Sequence, residues 1–416
     1  MILFIKLFRE SALFAWGSVI SNKLRTLLTL LGITIGIFAI ISVFSIVDAL
    51  EKQIRTSIST LGDNVIYIQK WPWEFSADFA WWKYMNRPNP RPSELDDLMR
   101  RTQVLEAATF MAGTSRTVEY LNRNIERVTI TAVSHDYDKV RSFGFENGRY
   151  FSPTESASGR NVAIIGAEIA TGLFEDADPL GKFIKIFGRN IEVIGVFERE
   201  GENSFGSSKD KMVVVPLGFL SSFIDVSSDR YGPVILAKGK ENFSNDELID
   251  ELRGAMRGIR RVKPAEEDNF ALNQSSLLTR QFDGVFAILK LAGWIIGGFS
   301  ILVGGFGIAN IMFVSVKERT TIIGIQKALG AKNYFILLQF LSEAVFLSLM
   351  GGAIGLLLVF GGTWIASRAF DMDLHLTLQN LMMGVNVSVI IGIVAGFVPA
   401  YSAAQLNPVD AIRANT

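Results

Sequence analysis

His135 and His375 are the only histidines in a chain of 416 residues that holds no cysteine. A disulfide framework, a thiolate metal site and a cysteine nucleophile are therefore excluded, and a histidine-based metal site is not expected. No G-x-x-x-x-G-K-[ST], H-E-x-x-H or G-x-S-x-G run occurs. The chain thus carries no phosphate loop, zincin helix or nucleophile elbow of these types. No catalytic residue and no metal ligand is assigned.

Three features remain that could do chemistry of contact. The first is the run 317–334, KERTTIIGIQKALGAKNY. Thr320 or Thr321 is expected to cap a helix running to Leu329, with Gly330 ending it and Lys327 in the last turn against the helix dipole. Ile322, Ile323, Ile325 and Leu329 then form an exposed apolar face suited to burial in another protein; the alternative is a helix lying against lipid headgroups. The second is the stretch 71–92, which holds Trp71, Trp73, Phe75, Phe79, Trp81, Trp82 and Tyr84 and then three prolines. It reads as a local mini-core, a partner or substrate surface, or an interfacial belt on a bilayer. The third is Glu343, a carboxylate just inside an apolar segment. Such a group is a functional candidate by default, but snorkelling or a nearby lysine could satisfy it. Lys290 is read as a snorkelling end residue.

These features sit among segments without Asp, Glu, Lys or Arg: 26–47, 291–316, 344–367 and 374–409. Roughly 20 apolar residues in a helix cross about 30 Å of hydrocarbon. Four transmembrane helices are expected, over 27–49, 285–315, 336–367 and 380–402. Buried helices of a soluble protein rarely run so long without charge. The first segment is too long for a signal-peptide core and lacks an A-x-A-like cleavage site, so it is read as a retained helix. The glycine pairs in these segments, and Gly351 with Gly355, are read as helix-packing positions, within the chain or between two copies.

Lys6, Arg9, Lys23 and Arg25 precede the first span, and Lys317, Arg319, Lys327 and Lys332 lie between the second and third. The positive-inside rule places both segments, and both termini, in the cytoplasm. Residues 50–283 then lie outside. The expected division is a cytoplasmic amphipathic segment 1–26, span 27–49, outer domain 50–283, span 284–316, cytoplasmic loop 317–334, span 335–367, outer loop 368–379, span 380–402 and tail 403–416. The outer region shows strand signals at 64–69, 104–110, 127–133, 161–165, 183–186, 191–197, 212–215 and 234–236. Helices are expected over 93–101, with Ser93 as N-cap, and over 245–257. This order suggests an α+β domain with a β-rich insert at about 140–208. The equal count of 41 basic and 41 acidic residues argues against a nucleic-acid binder.

The motifs then fall in a telling order. Residues 22–36 read N-K-L-R-T-L-L-T-L-L-G-I-T-I-G. The outer region has G-R-x-F at 148–151, V-A-x-I-G at 162–166, L-F at 173–174, P-L-G-K at 179–182 and V-I-G-V at 193–196. G-I-A-N-I-M follows at 307–312, E-R-x-x-x-I-G-I-x-K-A-L-G-A at 318–331, Q-F-L-x-E-A at 339–344 and L-N-P-V-D-A-I-R at 406–413. In this order and spacing the chain resembles the permease subunits of MacB/FtsX-like ABC transporters, the type VII or mechanotransmission class, over essentially its whole length. It departs from the family pattern at Ile322 and Gln326, where an acidic residue and an arginine are common, which makes the loop more apolar.

The resemblance implies a four-helix membrane domain with a large extracytoplasmic α+β domain between helices 1 and 2, made of a porter-like part and an inserted β-rich subdomain. It implies that 317–334 is a coupling helix docking on an ATP-binding subunit, with Glu318, Arg319, Ile322, Gly324, Ile325, Lys327, Leu329 and Gly330 as the coupling residues. Trp71, Trp73, Trp81 and Trp82 are candidate partner or substrate contacts. Because Met1 directly precedes the amphipathic segment, the ATPase is expected on a separate chain, which would hold the ATP and Mg; no cofactor is expected on this one. The expected assembly is two permease and two ATPase chains in a bacterial inner membrane, a homodimer or a pair of similar permeases. The expected work is efflux through a periplasmic adaptor and a TolC-like outer-membrane channel. Alternatives are an FtsX-like scaffold activating a cell-wall hydrolase, a lipoprotein-releasing permease, and an intramembrane enzyme, for which the spans offer no convergent polar residues.

Overall fold

A computed structural model describes residues 23–62, 64–74, 79–175, 177–201, 208–370 and 374–413. The expected amphipathic segment up to residue 22, Phe75, and Asp371 and Asp373 between the third and fourth spans lie outside these. The chain divides into two compact units; Gln53–Asp283 is one, and the remainder forms the other.

In the first unit, ten strands form one mixed sheet: β1 Val65–Gln69, β2 Leu105–Tyr120, β3 Arg123–Val133, β4 Phe145–Gly148, β5 Val162–Ile165, β6 Phe183–Ile186, β7 Arg189–Phe197, β8 Met212–Pro216, β9 Val234–Gly239 and β10 Ala271–Gln274. The spatial order is β10-β1-β9-β2-β3-β8-β5-β7-β4, with β6 alongside β7 and touching β2. β3–β8 and β5–β7 are parallel and the other pairs antiparallel. Period-two alternation sends side chains to opposite faces. Ile66 and Ile68 of β1 and Ile235 and Ala237 of β9 join one core, while Val65, Tyr67, Val234 and Leu236 join another. Both faces are buried, which is why these strands read as continuous apolar runs.

The strands of the expected insert, β4 to β7, make no separate sheet; β5 pairs with β8, and β8 with β3. Within this part the G-R-x-F motif is structural. Gly148 holds φ +92°, and a Cβ there would come within 2.3 Å of the Ile194 carbonyl oxygen. Arg149 forks onto Glu155 with bonds of 2.7 and 2.8 Å, and Phe151 is buried. Glu155 also closes a capping box with Ser152 at the start of the helix Pro153–Ser158. The Arg149 guanidinium chiefly, helped by the Ser152 bonds, pulls the Glu155 carboxyl down to about 2.

Two of the helices packed on the sheet were expected from the sequence. Asn245–Ile259 is capped reciprocally by Ser244 and Glu247 and buries Leu248, Leu252 and Met256 on one face. The other starts at Pro92, not after Ser93: Arg91 is the N-cap residue, and its N–H donates to Glu94. Proline at the first helical position needs no donor of its own, so the cap moves back to residue 91.

Among the described residues, four helices of the second unit are long and apolar enough to cross a membrane. Helix 1 is Lys23–Ser59, helix 2 Ser275–Glu318, helix 3 Asn333–Phe370 and helix 4 Leu378–Ala404; the boundary between the units falls inside helices 1 and 2. At 37 and 44 residues these two run to about 55 and about 66 Å, well beyond one hydrocarbon thickness. Helix 1 buries Ile33, Ile37, Ile40, Ile41 and Phe44, a helical stripe, against Met312, Phe340, Ala344 and Leu347. Leu27, Leu31, Ile35 and Phe38 on the same helix stay exposed, the all-round apolarity of a helix solvated by lipid. Gly351 and Gly355 pack inside the chain, not between copies. A Cβ on Gly351 would meet Ile33, and one on Gly355 would lie 2.9 Å from the Thr34 carbonyl oxygen. Thr34 Oγ1 donates to the Gly351 carbonyl at 3.0 Å across that seam.

Candidate functional site

Between helices 2 and 3 the chain forms a short helix, Thr320–Ala328. Its N-cap residue is Arg319, with no side-chain cap. The expected threonine cap is not made: Thr320 Oγ1 donates backward to the carbonyls of Val316 and Lys317. A threonine this close to the end of helix 2 finds free carbonyls nearer than free amides. The C-terminus closes as a Schellman motif. Ala331 N–H donates to Gln326, Gly330 N–H donates to Lys327, and Gly330 holds φ +97°, the left-handed geometry glycine tolerates best.

Ile322, Ile325 and Leu329 are exposed, Leu329 to 84%, whereas Ile323 is buried at 1%. The spacing 322, 325, 329 keeps one helix face, and residue 323, about 100° further round, turns inward. The exposed face is therefore smaller by one residue than the sequence implied. Glu318 is also exposed.

Gly330 is exposed as well, whereas Arg319, Gly324 and Lys327 face into the unit. Arg319 pairs with Glu343 of helix 3 at 3.3 Å, and Glu343 is 2% exposed. An arginine, not snorkelling or a lysine, answers this carboxylate. Lys327 does not rest on its own helix end. Its ammonium donates to the carbonyls of Ala404 and Leu406, at 2.8 and 2.6 Å, where helix 4 ends. Gly324 is buried beneath the tail helix Pro408–Arg413: a Cβ on it would lie 2.9 Å from Ala411 Cβ and 3.2 Å from the Ile412 nitrogen.

A polar cluster that the sequence reading missed joins helices 1, 2 and 4. Lys290 is not a snorkelling end residue; it pairs with Asp48 at 3.0 Å and Glu51 at 2.9 Å. Asn380 Nδ2 donates to Asp48 at 3.0 Å, beside Ser45, and both Asn380 and Ser45 are buried. The available signal was Asp48 and Glu51 one turn apart on helix 1, with Lys290 at the edge of the next charge-free run.

The aromatic stretch splits in two. Trp71 and Trp73 are half-buried. Asn273 clamps both, accepting from Trp73 N–H and donating to the Trp71 carbonyl, and Gln281 donates to the Trp73 carbonyl. Trp73 packs on Tyr67, whose hydroxyl burial holds above its ordinary value, with Arg141 opposing. Trp81 and Trp82 stand exposed, at 53% and 61%. The strap that follows is pinned by Arg87 to the Phe270 carbonyl, by Asn89 to the Ser227 carbonyl, and by Arg260, which bonds both Pro88 and Glu94. The first two tryptophans thus build the domain, and the last two remain open for contact.

Residues 26–255 match the model of the MacB-like periplasmic core domain, and residues 294–408 match that of the FtsX-like permease C-terminal domain. The chain belongs to the MacB/FtsX-like permease family. It is 32% identical over 98% of its length to the macrolide export ATP-binding/permease protein MacB of Neisseria gonorrhoeae, spanning 61% of that relative. It is 30% identical to the ABC transporter permease YknZ of Bacillus subtilis, an uncharacterized protein, covering 98% of it. The pyoverdine export ATP-binding/permease protein PvdT of Pseudomonas fluorescens is 30% identical and covered to 58%. As a MacB/FtsX-like permease, the chain carries its periplasmic-type domain between the first and second of four spans.

Proposed function

We propose that this chain is the permease of an ABC transporter and that a separate ATP-binding subunit, holding ATP and Mg, docks on the helix Thr320–Ala328. The observation that carries this reading is the exposed apolar face of Ile322, Ile325 and Leu329 on a nine-residue helix between two spans. Such a face is stabilised by burial in a partner. In this reading the loop, the tail and both termini are cytoplasmic, and Gln53–Asp283 lies outside. Two permease chains work with two ATP-binding subunits. ATP-driven closure of those subunits displaces the loop helix, and the Arg319–Glu343 pair carries the displacement into helix 3. The work is then done in the outer domain, most simply export through an adaptor and an outer-membrane channel. The export functions in the names of the two ATP-binding/permease relatives support that mode. Exposed Trp81 and Trp82 favour one second reading, extraction of a lipid-anchored cargo, whose acyl chains suit an aromatic surface.

The test is co-purification of the chain with the ATP-binding subunit in mild detergent. The parent chain is expected to retain the subunit stoichiometrically, and Leu329→Asp to lower retention at least tenfold. Equal retention by both chains would overturn the docking site.

A further inference from the structure

We infer that the docking element is a two-helix plate: Thr320–Ala328 joined to the tail helix Pro408–Arg413, with Lys327 and Gly324 as its positioning residues. The inference rests on the proposed permease function and names what its docking site is made of. Lys327 and Gly324 sit in the loop helix, yet neither offers itself to a partner. The Lys327 ammonium is taken up by two main-chain carbonyls, those of Ala404 and Leu406. These are orphan acceptors where helix 4 ends, the groups a cation satisfies best. Gly324 lets the tail helix approach so closely that its missing Cβ would lie 3.0 Å from Ile412 Cγ1 and 2.9 Å from Ala411 Cβ. Ala411 is buried in that seam.

The two helices therefore meet in one close seam. Ile412 covers Gly324 and is itself exposed, as is Val409 one turn earlier. Ile412 thus puts an exposed apolar side chain of the tail helix at the edge of that seam, against the loop helix. An ATP-binding subunit seated on Ile322, Ile325 and Leu329 meets Ile412 next. Because the tail helix follows the end of helix 4 through the short link Gln405–Asn407, the plate ties the loop to helix 4 as well as to helices 2 and 3.

The test uses the full chain with its ATP-binding subunit in lipid nanodiscs. The natural chain has no cysteine, so Gly324→Cys with Ala411→Cys places a single intrachain pair. Yielding by several tenths of an ångström brings the two Cβ positions to disulfide spacing. If the plate moves as one body, ATPase turnover of the oxidised pair stays within about twofold of the reduced pair. A tenfold loss on oxidation, restored by reductant, would overturn it. Independently, Ile412→Asp is expected to weaken binding of the ATP-binding subunit at least tenfold, and unchanged affinity would overturn the shared surface. This second arm decides the matter if the cysteine pair fails to fold. Lys327→Met is expected to raise the subunit concentration for half-maximal stimulation and lower the maximum, with Lys327→Arg restoring most of both. No change in Lys327→Met, or no rescue by Lys327→Arg, counts against the positioning role. Leu329→Asp separates the two claims. If it retains the subunit, the docking function itself fails; if it releases the subunit while Ile412→Asp does not, only the plate fails.

Discussion

Arg319 and Glu343 meet at a point where neither could stand alone. Glu343 is buried among the spans, and removing one partner of a buried pair leaves a desolvated charge, a loss on the order of 3–5 kcal/mol. Arg319→Leu and Glu343→Leu should each lower the thermal midpoint of the solubilised chain. The double substitution should cost less than either single one, because it leaves no orphan charge. A double variant as unstable as the sum of the singles would show that the pair is not the relevant contact. Glu155 makes a second prediction in the outer unit. Its carboxyl, ordinarily near 4.5, is held at about 2. A depressed acid contributes stability that is fully present above its unfolded value and lost as pH falls through the folded one. The contribution is on the order of 2 kcal/mol, less than the full shift implies because the Arg149 side chain is half exposed. Thermal midpoints of the parent and Glu155→Gln should therefore differ at pH 6 and converge between about pH 4.5 and 2. A gap that persists at the acid end would remove the carboxylate as its cause. At this scale the sequence was read unevenly. The exposed trio of the loop helix followed from helical spacing, because a face is a local property. The acceptors of Lys327 did not, because they lie 77 and 79 residues away and no spacing rule reaches them.

Helix packing tests the element scale through glycines whose surroundings differ. Alanine ordinarily stabilises a helix over glycine by roughly 0.5–1 kcal/mol. At Gly355 the new methyl would meet the Thr34 carbonyl at 2.9 Å, while at Gly361, on the same helix, nothing lies within 4 Å. Gly355→Ala is expected to destabilise by about 1–3 kcal/mol through overpacking, and Gly361→Ala to be neutral or stabilising. Thermal midpoints measured side by side check this, and equal behaviour of the two would mean that helices 1 and 3 are not in this register. The four spans were legible because lipid forbids charge over a whole helix length, a constraint written directly into composition. All eight expected strands fall in the sheet for a related reason: most are buried on both faces, β6 on one only, and their buried positions are dense in β-branched residues. β4 and β10 were not legible. Phe145–Gly148 is largely exposed, and Ala271–Gln274 buries the polar Asn273 and Gln274 beside a single small apolar residue, Ala271. The outer half of the β2–β3 hairpin was missed likewise, since only Val118, Tyr120 and Ile125 there reach the core and the positions around them are mostly polar and exposed.

At the scale of the whole molecule, the sidedness of the chain is the assumption on which the functional reading stands. In the proposed function the lysines and arginines beside the loop lie in the cytoplasm by the positive-inside rule, and Gln53–Asp283 lies on the other side of the membrane. Two leucines make the assumption measurable. Leu121, at the tip of the β2–β3 hairpin, is 85% exposed, and Leu329, at the end of the loop helix, is 84% exposed. Neither belongs to a buried cluster, and the absence of native cysteine leaves no background. Leu121→Cys is expected to react with a membrane-impermeant maleimide on intact, outer-membrane-permeabilised cells. Leu329→Cys, expressed without an ATP-binding subunit to cover it, is expected to react only after the inner membrane is opened. The reverse pattern would turn the molecule over and put its apolar loop face where no ATP-binding subunit could reach it. Labelling of both sites in intact cells would contradict an odd number of crossings between them. A single span, helix 2, lies between Gln53–Asp283 and the loop, and coupling between them requires that it cross.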